Sequence, residues 1–305
     1  METIFPALFR KTPDIQGVRE RFELPDGDFL DYDVYESKKG TQAPLLLLSH
    51  GLEGDSKSGY IQGMVKMALD YGYRVVAWNY RGCSGEPNRL KRFYHSGESN
   101  DLRLMVQHVL TRFEPESMYL IGFSIGGNIT LKYLGEEGAN LAPKIKAAAA
   151  LSVPCDLASG ARHLAGLKSK VYMRRFMKSL SGKIKAKAKL YPDLDPTAVD
   201  RMNNFIEFDE YYTAPLHGFD SAEDYWKKNS SKYFLSNIQR PTLLLTAAND
   251  PFLTPACYPY EIAEQSPFLF LTVTEKGGHV GYYQKHPKGY YWSEERIIEF
   301  IRQYA

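Results

Sequence analysis

Ser124, Asp250 and His279 are side chains of the three types that together make an alcohol nucleophilic. A serine hydroxyl attacks poorly at neutral pH. It needs a base within hydrogen-bond reach, and the base needs an acid to fix its tautomer. Ser124 stands in Gly122-Phe123-Ser124-Ile125-Gly126. The run from Met118 before it reads as a buried strand, and Ile129 to Leu134 after it as a helix. A serine on such a turn is pushed out of the backbone envelope. Only small residues fit two positions to either side of it, and Gly122 and Gly126 are small. The five-residue pattern alone arises by chance, so the flanking strand and helix carry the argument.

In a sheet of this kind the acid and then the base follow the serine, each on a loop after a later strand. Thr246-Ala247-Ala248-Asn249-Asp250-Pro251 follows one predicted strand and offers Asp250. Glu275-Lys276-Gly277-Gly278-His279 follows the last one and offers His279 on a glycine-rich loop. His286 is a less well placed base. His163, His217, Asp209 and Asp220 lie in an insertion, out of register with the strand order. His95 and His108 fall in or near a helix expected on the outside of the sheet.

Attack on a carbonyl leaves an oxyanion that needs fixed N–H donors. Ile125 N–H, next to the nucleophile at a helix N-terminus, is one candidate. Leu52 N–H, in Ser49-His50-Gly51-Leu52-Glu53-Gly54, is the other, because its glycines allow the backbone close to a substrate. His50 reads as a structural residue of that turn. In Asn79-Tyr80-Arg81-Gly82-Cys83, Arg81 reads as a brace for the loop, with contact to an anionic substrate group as the alternative.

These residues need a scaffold. Arg19 to Leu24 and Phe29 to Tyr35 alternate around Pro25-Asp26-Gly27-Asp28 and predict an edge hairpin. Strands follow at Leu45–Ser49, Tyr73–Trp78, Met118, Ile145–Leu151, Thr242–Thr246 and Phe268–Val273. Helices are expected at 60–71, 102–113, after Ser124, at 255–264, and from an N-cap at Ser293 to Tyr304. This rhythm predicts an α/β fold with a mostly parallel sheet flanked by helices. It breaks from about Asp156 to Ser236, where no buried strand is legible. The expected division is a core of residues 1–155 and 237–305 with a helical cap of residues 156–236.

The 305 residues suffice for one large domain with an insertion. A net charge of +2 does not point to nucleic acid. Cys83, Cys155 and Cys257 are too few and too scattered for a disulfide framework or a zinc site, and they fit a reducing compartment. Met1 to Arg21 lacks the pattern of a signal peptide, and the longest apolar runs are too short to span a bilayer. A cytoplasmic location follows as the expectation. Residues 162–189 hold ten Lys or Arg and no Asp or Glu, with acids gathering from Asp193. Two explanations stand: a cap whose charges balance within it, or a basic lid that meets anionic lipid. Tyr172, Phe176, Leu180 and Ile184 form one stripe of that segment. Phe205, Phe208, Tyr211, Tyr212 and Phe219 would pack the cap or line an acyl pocket.

Taken together, His50-Gly51-Leu52-Glu53-Gly54, Asn79 to Asn88, Gly122 to Asn128 and Gly277-Gly278-His279-Val280-Gly281 resemble the α/β-hydrolase superfamily, and within it the YheT-like serine hydrolases. The resemblance implies an eight-stranded sheet and a Ser-His-Asp esterase activity without cofactor or metal, acting on acyl esters or lipids. It matches Ser124, Asp250 and His279. The expected reaction is ester hydrolysis through an acyl-enzyme. Acyl transfer or thioester hydrolysis on the same residues is the alternative, and a non-catalytic binding module is the alternative from another class.

Overall fold

A computed structural model describes Arg10 and residues 15–166 and 170–305. Lys168 of the basic run and most of the stretch before residue 15 lie outside the described residues. Eight strands form one sheet: β1 (Val18–Glu23), β2 (Phe29–Tyr35), β3 (Leu45–Ser49), β4 (Arg74–Trp78), β5 (Met118–Phe123), β6 (Ile145–Leu151), β7 (Thr242–Ala247) and β8 (Leu269–Thr274). Their spatial order is β1-β2-β4-β3-β5-β6-β7-β8. β1 and β2 pair antiparallel, as do β2 and β4, and every later neighbour is parallel.

The central strands are apolar on both faces because both are covered. Leu45 and Leu47 of β3 pack with Met105 of helix α2 (Ser99–Phe113) and Ile129 of α3 (Ile125–Glu137). Leu46 and Leu48 face the other way, onto Met64 of α1 (Gly59–Asp70) and Ile297 of the C-terminal helix. β2 departs from the alternating expectation, because all seven of its residues are buried. Its aspartates are tolerated because they are paired: Arg21 holds Asp31 at 2.7 Å and Arg19 holds Asp33 at 2.6 Å.

Between β6 and β7 the described residues contain only helices and turns. α4 (Leu157–Leu164) is followed by α5 (Lys170–Ala188), then by a broken helical stretch from Phe205 to His217 and by α6 (Ala222–Asn229). The middle of that stretch, Asp209–Thr213, is π-helical, a local widening that often marks a functional position. The buried stripe of α5 runs through Met173, Met177, Leu180 and Ile184 and joins the core of one sheet face, so of the expected stripe Leu180 and Ile184 are buried while Tyr172 and Phe176 are only partly buried.

Two helix boundaries differ from expectation. Pro259 splits the predicted helix after β7, leaving a 3₁₀ turn at Pro255–Cys257 and α7 (Tyr260–Gln265). The last helix, α8 (Trp292–Arg302), has Tyr291 rather than Ser293 at its N-cap. The Glu294 carboxylate reaches back to the Tyr291 N–H at 2.9 Å and takes over the capping task, while Arg10 holds that carboxylate at 2.6 Å. Among the described residues no helix is long and apolar enough to cross a membrane.

Candidate active site

Ser124 lies between β5 and α3 with φ 54° and ψ −121°, a conformation that L-residues rarely adopt. Its neighbours show why the turn is built from glycine. A Cβ on Gly122 would meet the Gly126 carbonyl oxygen at 2.4 Å, and one on Gly126 would meet the His50 carbonyl oxygen at 2.4 Å. α3 begins at Ile125, earlier than periodicity suggested, so its N-terminus adjoins the hydroxyl.

The structure brings the three predicted side chains together. His279 Nε2 lies 2.9 Å from Ser124 Oγ, and His279 Nδ1 lies 2.8 Å from Asp250 Oδ2. The Asp250 side chain is fully buried, and its other oxygen accepts the Phe252 N–H at 2.9 Å. A carboxylate opposite Nδ1 keeps the ring proton there and turns the Nε2 lone pair to the serine. The Phe252 ring packs on the imidazole at 4.4 Å between centroids.

Sequence reasoning missed the groups that hold the histidine loop. Gly278 N–H donates to Asn249 Oδ1 at 2.9 Å, and Val280 N–H donates to Ser152 Oγ at 3.2 Å. Val280 and Tyr282 have positive φ, so this loop is held in a strained form by such contacts.

Leu52 and Ile125 line the same cavity as Ser124 and His279. Gly51 approaches so closely that an added Cβ would lie 3.3 Å from Ser124 Cβ. His50 is structural: Nδ1 donates to the Gly51 carbonyl at 2.8 Å, and Nε2 accepts the Tyr80 N–H at 3.2 Å. Burial pushes its pKa down to about 3, so it stays neutral.

The cavity holds about 100 Å³ and is walled by apolar side chains, with Leu157, Phe176, Leu180, Phe205, Phe208 and Trp226 coming from the insertion. Of the other aromatics of the insertion, Tyr212 packs at a tilt against Phe208, Phe219 packs on Tyr225, and Tyr211 is half exposed. A polar patch interrupts the apolar wall. Asp209 accepts the Thr213 hydroxyl at 2.7 Å and the Trp226 indole N–H at 2.8 Å, and burial pushes its carboxyl up to about 6.

A profile of the alpha/beta hydrolase fold matches residues 44–286. This chain belongs to the α/β-hydrolase family. The hydrolase is 34% identical over 311 residues to the Escherichia coli (strain K12) protein named "Putative esterase YheT", covering all of this chain and 90% of that one. It is therefore YheT-like. It is also 28% identical to Phospholipase ABHD3 of Mus musculus, over 92% of this chain and 70% of that one. The structure of the Pyrococcus furiosus esterase Pf2001 superposes with a TM-score of 0.62 at 15% identity, covering 95% of this chain and 93% of that one, a likeness of fold.

Other charged residues of the hydrolase now have places. The Arg81 guanidinium is buried and holds Asp101 through two bonds of 2.7 Å and Asp28 at 3.0 Å, so it braces the loops after β1 and β4. The basic run divides. Lys183 and Lys187 turn inward, to Glu53 and to the Asn88 and Leu90 carbonyls. Lys185 pairs with Asp200 and Arg162 with Glu223, inside the insertion. Lys170, Arg174, Arg175 and Lys178 are exposed on α5, and no ion pair holds them among the described residues.

His95 differs from its expected place outside the sheet. It is buried in the cavity wall, 4.7 Å from the His217 ring between centroids, because its segment folds over the edge where the insertion docks. His95, Glu98 and His217 bring their ligand atoms within 4.8 Å of one another. The bonding of His95 opposes metal binding there. Its Nδ1 accepts the Gly97 N–H at 3.1 Å, which puts the ring proton on Nε2, the atom that would have to bind the ion.

Proposed function

We propose that this hydrolase cleaves carboxylic (acyl) esters with Ser124 as nucleophile, His279 as general base and acid, and Asp250 as the acid that orients His279. One observation carries the reading: a single imidazole spans a serine hydroxyl and a buried carboxylate at 2.9 and 2.8 Å. His279 Nε2 takes the Ser124 proton as Oγ attacks the acyl carbon, and Asp250 stabilises the imidazolium. The Leu52 and Ile125 N–H groups receive the oxyanion. His279 then gives its proton to the leaving alkoxide. In the second half, water attacks the acyl-enzyme, with His279 accepting its proton and returning it to Oγ. No step calls on a cofactor. The apolar cavity supports an acyl chain or lipid as the bound group, in keeping with the names esterase and phospholipase carried by relatives.

Two finer points belong to the same proposal. The helical insertion, residues 156–236, acts as a cap over the site, and the exposed cations of α5 form its contact with anionic lipid. Three free cysteines support a cytoplasmic location.

The test is Ser124→Ala in folded protein, assayed on p-nitrophenyl esters of graded acyl length. We expect a loss of about 10³-fold or more in kcat. Near-full activity in that variant, or failure of a fluorophosphonate to label Ser124 in the unmodified protein, overturns the assignment.

A further inference from the structure

Glu53 directly follows Leu52 in the loop after β3, and its backbone is left-handed, with φ 53°. It is the third residue of a tight turn closed by Gly54 N–H on the Gly51 carbonyl at 3.1 Å. Turns with positive φ at that position favour glycine, and a larger residue persists there only when its surroundings hold it. Here they do. The Glu53 N–H donates to Tyr94 Oη at 2.9 Å, and that hydroxyl donates back to Glu53 Oε1 at 2.7 Å. Lys183 Nζ donates to the same carboxylate oxygen at 2.6 Å, and Ser179 donates to the other. Lys183 and Ser179 stand one turn apart on α5, so one helix of the insertion grips this side chain from above. The ammonium also lies 4.6 Å over the Tyr94 ring and 2.9 Å from Cys83 Sγ. Lys183 and Glu53 are 17% and 7% exposed, so the pair is screened little by solvent.

The turn that Glu53 shapes also aims the Leu52 N–H. The Gly51 carbonyl belongs to the same peptide plane as that N–H and is held by Gly54 N–H and His50 Nδ1. On the far side, Gly51 N–H is fixed by Tyr60 Oη at 2.8 Å. Glu53 is the member of this turn tied to the insertion.

We infer that Lys183 is a positioning residue for the reaction. Through Glu53 it fixes the Leu52 N–H where the oxyanion forms, so that α5 and the oxyanion site move as one unit. The inference rests on Leu52 donating to the oxyanion as proposed above. Without Lys183 the Glu53 carboxylate loses its cation, the turn is freed to relax, and a donor useful only in the transition state is misaimed. Such a loss falls on kcat and leaves KM nearly unchanged.

The experiment uses the full chain with Lys183→Met, Lys183→Arg as rescue, and Lys185→Met as a control that removes the same charge from the same helix at an exposed pair. Lys183→Met is expected to lower kcat about 10- to 100-fold and to weaken an alkyl boronic acid, which mimics the tetrahedral species, by the same factor. KM should stay within about twofold of the parent value. Lys183→Arg should recover most of the rate, and Lys185→Met should match the parent. If Lys183→Met does not fold, as judged by circular dichroism, Glu53→Gln is read by the same criteria. Parent-like kcat, or a rise in KM at constant kcat, overturns the inference while Ser124 labelling leaves the triad reading standing. An unlabelled Ser124 removes both.

Discussion

The His279 ring can be oriented by Asp250 in only one way. One carboxylate oxygen faces Nδ1 and the other is occupied by the Phe252 N–H. An amide at position 250 would offer an NH₂ group to one of those two donors, and the ring would turn its proton towards Ser124. Asp250→Asn should therefore lower kcat on the order of 10³–10⁴-fold without loss of fold, since shape and burial are kept. Steady-state rates with an unfolding curve measure this, and a loss under about tenfold would contradict the role. At this scale the sequence was highly informative. Ser124, Asp250 and His279 were legible because each follows a strand in a required order. Asn249 and Ser152 were not, because the Ser152 contact joins residues 128 positions apart and depends on loop conformation rather than on a pattern.

At the scale of elements, the strands were read within a residue or two because both-face burial forces near-continuous apolar runs such as Leu45–Leu48. β2 was misread as half exposed, since Asp31 and Asp33 look like a solvent face until Arg19 and Arg21 cover them. The same logic governs the loop after β4. Arg81 is enclosed with Asp28 and Asp101, and burial raises the Asp101 carboxyl above its ordinary range while Arg81 pulls it down. Arg81→Met would leave Asp101 buried without its cation. We expect about 3–5 kcal/mol lost at neutral pH, read from urea unfolding. The sign with pH follows. A carboxyl whose folded pKa lies above its unfolded value binds more protons in the folded state, so its cost is relieved as pH falls. The deficit of Arg81→Met should thus shrink from pH 7 towards pH 5. A deficit that is constant or widens over that range would assign the loss to packing instead.

For the whole molecule, the sheet was legible in detail and the insertion was not. Strand order constrains where an acid or base must fall, whereas nothing in a helical insertion constrains which face of α5 meets the sheet. The ten cations lie in one run of the sequence, yet folding sends Lys183 to Glu53, Lys187 to backbone carbonyls and Lys185 to Asp200. What remains outside is a cluster on the solvent face of the helix whose opposite face supplies Phe176 and Leu180 to the cavity. That arrangement would hold the cavity against an anionic interface. Each basic residue near such a surface contributes about 1 kcal/mol, so replacing Lys170, Arg174, Arg175 and Lys178 by Gln should weaken binding to phosphatidylglycerol vesicles by on the order of 10²–10³-fold. Because the attraction is screened within about 8–10 Å at physiological salt, parent binding should also fall steeply as salt rises. Hydrolysis of a water-soluble ester should be unchanged in the fourfold variant, since none of the four touches the site. Sedimentation with phosphatidylglycerol and phosphatidylcholine vesicles decides the matter: equal binding to both, or binding indifferent to salt, would show that the cations serve only to keep the cap in water.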